Sequence, residues 1–155
     1  PTRPSWSAQR GIPVPEMYLD TSVLVKLYTR EPDSAECERI VTGHRIVSSE
    51  LLYTELWSAL LAKERHGVLS PDHRQRAWQL FEVHLLDEVV ELVDLDGTVV
   101  REAAEVIARV HPAVPLRTLD AIHLASFIGL DVGPLFTRDR RMIDAAKQLG
   151  LPLAG

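Results

Sequence analysis

Short apolar runs alternate along this chain with longer stretches whose apolar residues recur every three or four positions. That alternation constrains the fold more than any other feature. Strand followed by helix followed by strand builds a mostly parallel sheet with helices packed on its faces. Met17–Leu19 is the first apolar run, and Ser22–Tyr28 then sets Val23, Leu24 and Leu27 at helical spacing. Arg45–Val47, Val89–Val93 and Leu135–Thr137 read as further strands, with Leu151–Leu153 as one more at an edge. Helices are expected behind Asp33, carrying Cys37, Ile40 and Val41, and from Glu50 to Lys63 with Ser48 and Ser49 as capping residues. Others follow Ser70-Pro71, cover Val99–Val110, run over Leu119–Ile128 behind Thr118, and cover Arg140–Leu149. The expected fold is α/β, with a central sheet of four to five strands.

The alternation begins only at Met17. The stretch before it, PTRPSWSAQRGIPVPE, is polar and proline-rich and has no apolar core of a secretory signal. We expect residues 1–16 to be a flexible extension or an expression remnant, and 17–155 to be one domain. With 46% apolar residues in 155, the chain can bury one real core. No apolar run approaches the ~20 residues of a membrane-spanning helix. The single cysteine, Cys37, leaves no internal disulfide and no zinc knuckle, which suits a reducing cytoplasm.

Four carboxylates stand at junctions between these elements: Asp20 in MYLDTSVLVKLY, Glu55 in SSELLYTELWSALL, Asp120 in LRTLDAIHLASF and Asp139 in LFTRDRRM. Each lies beside residues that read as core. An unpaired charge next to a core costs several kcal/mol or forces protonation. One hard divalent cation is the simplest partner for several such groups, with water and substrate phosphate completing its shell. The pattern points to metal-dependent chemistry on a phosphate ester. In a parallel sheet such residues can converge where strand order reverses.

Other groups compete for attention. The net charge is −5, yet Arg117 lies three residues before Asp120, and Arg138, Arg140 and Arg141 surround Asp139. These arginines either meet substrate phosphate or pair with the same acids. Asp94 and Asp96 in VDLDGT resemble an aspartyl-nucleophile motif of haloacid-dehalogenase type, but such a motif opens its domain, so Asp96 is expected to cap a helix. Glu50 is favoured by the helix dipole whatever the function. His123 shares a helix face with Asp120 and is read as a satisfied helix histidine. Trp6, Trp57 and Trp78 form no base-stacking stripe.

LDTSVLVKLY, SSELLYTELWSAL, LRTLDAIHLA and FTRDRRMIDAAKQLGL together resemble, in order, the motifs of the PIN-domain family, and most of all its VapC-type toxins. The resemblance runs from Met17 to the C-terminus. It implies a compact three-layer α/β/α ribonuclease dependent on Mg²⁺ or Mn²⁺. By motif, Asp20, Glu55, Asp120 and Asp139 are its acidic quartet, with Asp20, Asp120 and Asp139 as metal ligands and Glu55 holding a water or a second ion. Thr21 and Ser22 match positions that order the first acid and its metal-bound water, and Thr21, Ser22, Arg117 and Arg138 are candidates for binding the substrate. The resemblance also implies a homodimer and a VapB-type antitoxin. An arginine of that partner would pair with the acids, and its apolar side chains would fill a groove near Leu24, Leu27 and the Glu50–Lys63 helix. A non-catalytic RNA-binding PIN-like domain and a small-phosphoester hydrolase are the alternatives.

Overall fold

In the computed structural model, which describes residues 14–155, four parallel strands make one sheet in the order β3-β2-β1-β4. They are β1 (Glu16–Leu19), β2 (Arg45–Ser49), β3 (Val90–Val93) and β4 (Leu135–Phe136). Successive side chains point to opposite faces of a strand, so an apolar run must be covered on both sides. Met17 and Leu19 enter one core with Ile46, Val90 and Phe136. Tyr18 enters the other with Val47 and Leu135.

Helices α1 (Thr21–Tyr28), α2 (Ser34–Val41), α3 (Leu51–Arg65) and α4 (Pro71–Leu86) cover the first face. Helices α5 (Gly97–Val110), α6 (Thr118–Ile128) and α7 (Arg140–Leu149) cover the second. The result is the expected three-layer α/β/α sandwich. The stripe Leu52, Leu56, Leu60 of α3 is fully buried, at the spacing that keeps one helix face inward. Trp57 and Trp78 lie 4.7 Å apart between ring centroids, and Tyr53 stands edge-on to Trp78, so these rings join α3 to α4. Trp6 lies outside the described residues. Helix α6 is buried nearly all round from Ala121 to Phe127, while Thr118 and Leu119 in its first turn are exposed.

Local details correct the reading above. Ser48 and Ser49 belong to β2, pairing with Leu92 and Val93 of β3, and Glu50 takes the N-cap place, although Ser49 Oγ still accepts the Leu51 amide at 3.3 Å. Ladder pairing in the middle of a sheet outweighs a serine's preference for a helix start. Thr118 is the first residue of α6, with Arg117 at the N-cap. Asp33 stands at the N-cap of α2 without capping it, because its carboxylate takes Lys26 at 2.8 Å. Leu151–Leu153 forms a single bridge, Leu153 to Leu135, rather than a strand. Glu16, expected in the extension, already pairs with Arg45, and Pro15 accepts the Arg45 amide; residues 1–13 lie outside the description. Leu24 and Leu27 are themselves buried in the core.

The chain leaves β1 for β2 and β3 on one side and returns to β4 on the other. Strand order therefore reverses between β1 and β4, and their carboxyl ends flank a crevice. Gly133 lets the strands meet: a Cβ there would run into the backbone carbonyl of Glu16.

Candidate active site

Asp20 ends β1 and Asp139 follows β4, so the two acids stand on either side of the reversal point. Asp20 is the N-cap of α1, but its side chain caps nothing; Oδ1 instead accepts the Ser22 hydroxyl at 2.8 Å. Ser22 Oγ in turn accepts the Arg138 amide at 2.9 Å, which ties the end of β1 to the loop after β4. Thr137 Oγ1 lies 3.5 Å from Ser22 Oγ and accepts the Asp139 amide at 3.0 Å. Asp139 caps α7 through Oδ1, which accepts the amides of Arg141 and Met142. Both acids are thus fixed by short loops rather than by the sheet itself.

Asp120 projects from the first turn of α6, and Glu55 from the second turn of α3. Glu55 Oε2 accepts the Thr21 hydroxyl at 2.5 Å and meets His123 Nε2 at 2.7 Å. His123 Nδ1 lies 3.0 Å from the Tyr18 hydroxyl. His123 is the satisfied helix histidine the sequence suggested, but what satisfies it is a candidate site residue. Tyr18 was not foreseen. Its only signal is strand alternation, which sets it on the face of β1 toward α6, two residues before Asp20.

Electrostatics link the acids. Burial pushes the Asp20 carboxyl up to about 6, against the opposing pull of His123, Ser22 and Thr137. Asp120 is also raised, first by burial and then by the charge of Asp139, with Glu55 adding to it. Its Oδ2 is buried and has no hydrogen-bond partner among the described residues. Burial acts to raise Glu55, but the His123 and Thr21 hydrogen bonds outweigh it and leave Glu55 low. Among the described residues no three His, Cys, Asp or Glu side chains form a ready cage for a metal. Mg²⁺ does not need one, since it takes one or two carboxylates and keeps several waters. An orphaned buried carboxylate oxygen, repelled by a second acid, fits that demand.

The arginines separate. Arg117 is exposed beside Asp120, whose carboxyl it pulls down. Arg138 is held instead by Glu36 at 3.0 Å and Asp33 at 3.7 Å, lying over the Phe136 ring. Arg140 and Arg141 line a cavity of about 390 Å³ with Asp139, Asp144 and the Ala113–Pro115 loop. The rival acids are used elsewhere. Asp96 caps α5 by accepting the Thr98 and Val99 amides, and Glu50 accepts the Leu95 amide at 3.1 Å. Asp94 is exposed beyond the edge strand β3, away from the reversal point.

Comparison with known proteins shows the family and the fold. The PIN-domain profile matches residues 17–148. Ribonuclease VapC46 of Mycobacterium tuberculosis is 41% identical over 138 residues, covering 87% of this chain and 93% of that protein. Ribonuclease VapC49 of the same species is 32% identical over 147 residues, covering 91% of this chain and 96% of that protein. The crystal structure of M. tuberculosis VapC20, a toxin that cleaves the sarcin–ricin loop, superposes with a TM-score of 0.66 at 16% identity, over 84% of this chain and 95% of that one. VapBC2 of Rickettsia felis, solved with a DNA fragment from its promoter, gives 0.62 at 15% identity, over 88% and 96%. These two structures share the fold.

Proposed function

The chain belongs to the PIN-domain family, and on that premise we propose that it is a Mg²⁺- or Mn²⁺-dependent endoribonuclease, the toxin of a VapBC-type pair. The observation that carries this reading is the orphaned Asp120 Oδ2, buried and facing the repulsion of Asp139 where strand order reverses. Asp20, Asp120 and Asp139 would hold the ion, one or two of them directly and the rest through its waters. Bound there, it would lower the pKa of a water and neutralise charge on the scissile phosphate.

The protein's own groups set the stage for that chemistry. Ser22 and Thr137 hold the loops that carry Asp20 and Asp139, so neither acid has to be ordered when substrate arrives. Glu55, kept low and anionic, can orient a water or accept its proton. Arg117, Arg140 and Arg141 offer guanidinium groups to an RNA backbone passing beside Asp120 and Asp139. Arg138, expected as a substrate contact, fits better as an anchor, since Glu36 and Asp33 already engage it.

The partners follow from the family. A VapB-type antitoxin would restrain the nuclease in the cytoplasm, and two copies would form the working dimer. Among the described residues no helix is long and apolar enough to cross a membrane. The partner's apolar segment would sit near the early helices, where a cavity of about 630 Å³ is lined by Leu69, Ala77 and Leu80, with Arg30 and Arg76 among its exposed lining residues.

Cleavage assays on structured RNA, DNA and a small phosphomonoester, each with Mg²⁺, Mn²⁺ or chelator, test the function. RNA cleavage that needs the ion supports the reading. Turnover of the monoester alone, or RNA binding without cleavage, would replace it.

A further inference from the structure

We propose that His123 is a positioning residue, which grips Glu55 Oε2 through its Nε2–H and leaves Glu55 Oε1 as the only oxygen of that carboxylate turned to the reaction. The proposal rests on the ribonuclease reading and deepens it.

The hydrogen-bond chain has one consistent direction. An ionised carboxylate only accepts, so at 2.7 Å from Glu55 Oε2 the His123 Nε2 must carry the proton. In a neutral ring Nδ1 is then an acceptor, and the partner at 3.0 Å is the Tyr18 hydroxyl, which donates. Tyr18 is fully buried and His123 is 2% exposed, so bulk water cannot substitute for either contact. The Tyr18 ring stands edge-on both to the imidazole and to Phe127, which holds the ring pair in place. The chain Tyr18–His123–Glu55 thus joins β1, α6 and α3, three elements that meet only in the folded protein.

The same oxygen has a second donor. Thr21 Oγ1 reaches Oε2 at 2.5 Å, while Oε1 makes no hydrogen bond among the described residues. Two donors on one oxygen fix the carboxylate plane and leave the other oxygen's lone pairs free. Without His123, Thr21 would hold Oε2 from one side only, and the carboxylate could rotate about its last torsion.

Side-chain geometry provides a test. A glutamine amide nitrogen can occupy the position of a histidine Nε2, whereas an asparagine falls short of it. His123→Gln should keep most of the RNA-cleavage rate. His123→Asn should lower kcat about 10–100-fold, the usual effect of removing an outer partner of a catalytic ligand, with KM little changed. Melting temperature is measured for both variants, because a purely structural histidine would make the rate follow stability. Separately, ¹⁵N NMR of the metal-free wild type reads the ring directly, and a protonated Nε2 is expected. An unprotonated Nε2, or equal rates in folded Asn and Gln variants, overturns the proposal. If the wild type cleaves no RNA, the ribonuclease reading falls, and the NMR result alone then decides whether His123 grips Glu55.

Discussion

Asp20 shows what a buried acid does to the protein that carries it. It is 4% exposed, and its carboxyl is pushed from an ordinary 3.8 up to about 6. A raised folded value means that the fold is not penalised below pH ~4, where the acid is protonated in both states. The penalty grows as pH rises through about 6, towards ~3 kcal/mol for a shift of this size. Asn can keep the Ser22 hydrogen bond without the charge. Metal-free Asp20→Asn should therefore match wild type in stability near pH 4 and exceed it by about 2–3 kcal/mol at pH 7, as measured by urea unfolding across pH. A difference that does not change with pH would contradict the assignment. The four acids were legible because each stands beside apolar residues at an element junction. Tyr18 and the partner of His123 were not, because their contacts cross 105 and 68 positions of sequence. Arg138 misled for the same reason: its acidic partners lie on α2, remote in sequence.

At the scale of elements, the crevice exists because β1 and β4 lie side by side and their following loops are stitched together. Gly133 controls that approach, since a methyl group there meets the unyielding carbonyl of Glu16. Gly133→Ala should destabilise by about 1–3 kcal/mol, in line with overpacking elsewhere. Gly129→Ala is the control, because its added Cβ meets nothing closer than 3.8 Å. Equal stability of the two variants would show that the β1–β4 approach is not tight. Helix α5 offers a separate check. Asp96 takes two amides at its start, so Asp96→Ala should lower the melting temperature and leave RNA cleavage unchanged. Element order was readable from periodicity and turn residues. The ends of β2 were not, since Ser48 and Ser49 satisfy both a cap and a ladder, and only the position of β3 decides between them. The C-terminal run failed as a strand for a similar reason: Leu153 meets β4 at one residue and has no register to extend.

At the scale of the whole molecule, the sheet order makes one site from four distant stretches of chain. Neither periodicity nor motif spacing contains that order; it emerges when both faces of every strand must be covered at once. The family implies that two such molecules associate, and light scattering at roughly tens of micromolar should give twice the monomer mass. A monomer at that concentration would remove the dimer from the account without touching the site. The central claim is that the acids at the β1–β4 reversal perform metal-dependent RNA cleavage while Asp94 of VDLDGT does not. Its most direct test is the single-turnover rate on structured RNA in Mg²⁺ for folded wild type, Asp20→Asn and Asp94→Asn. The account predicts at least a roughly tenfold loss for Asp20→Asn, equivalent to ~1.4 kcal/mol of transition-state stabilisation, and an unchanged rate for Asp94→Asn. Full activity in folded Asp20→Asn, or loss in Asp94→Asn, would contradict it.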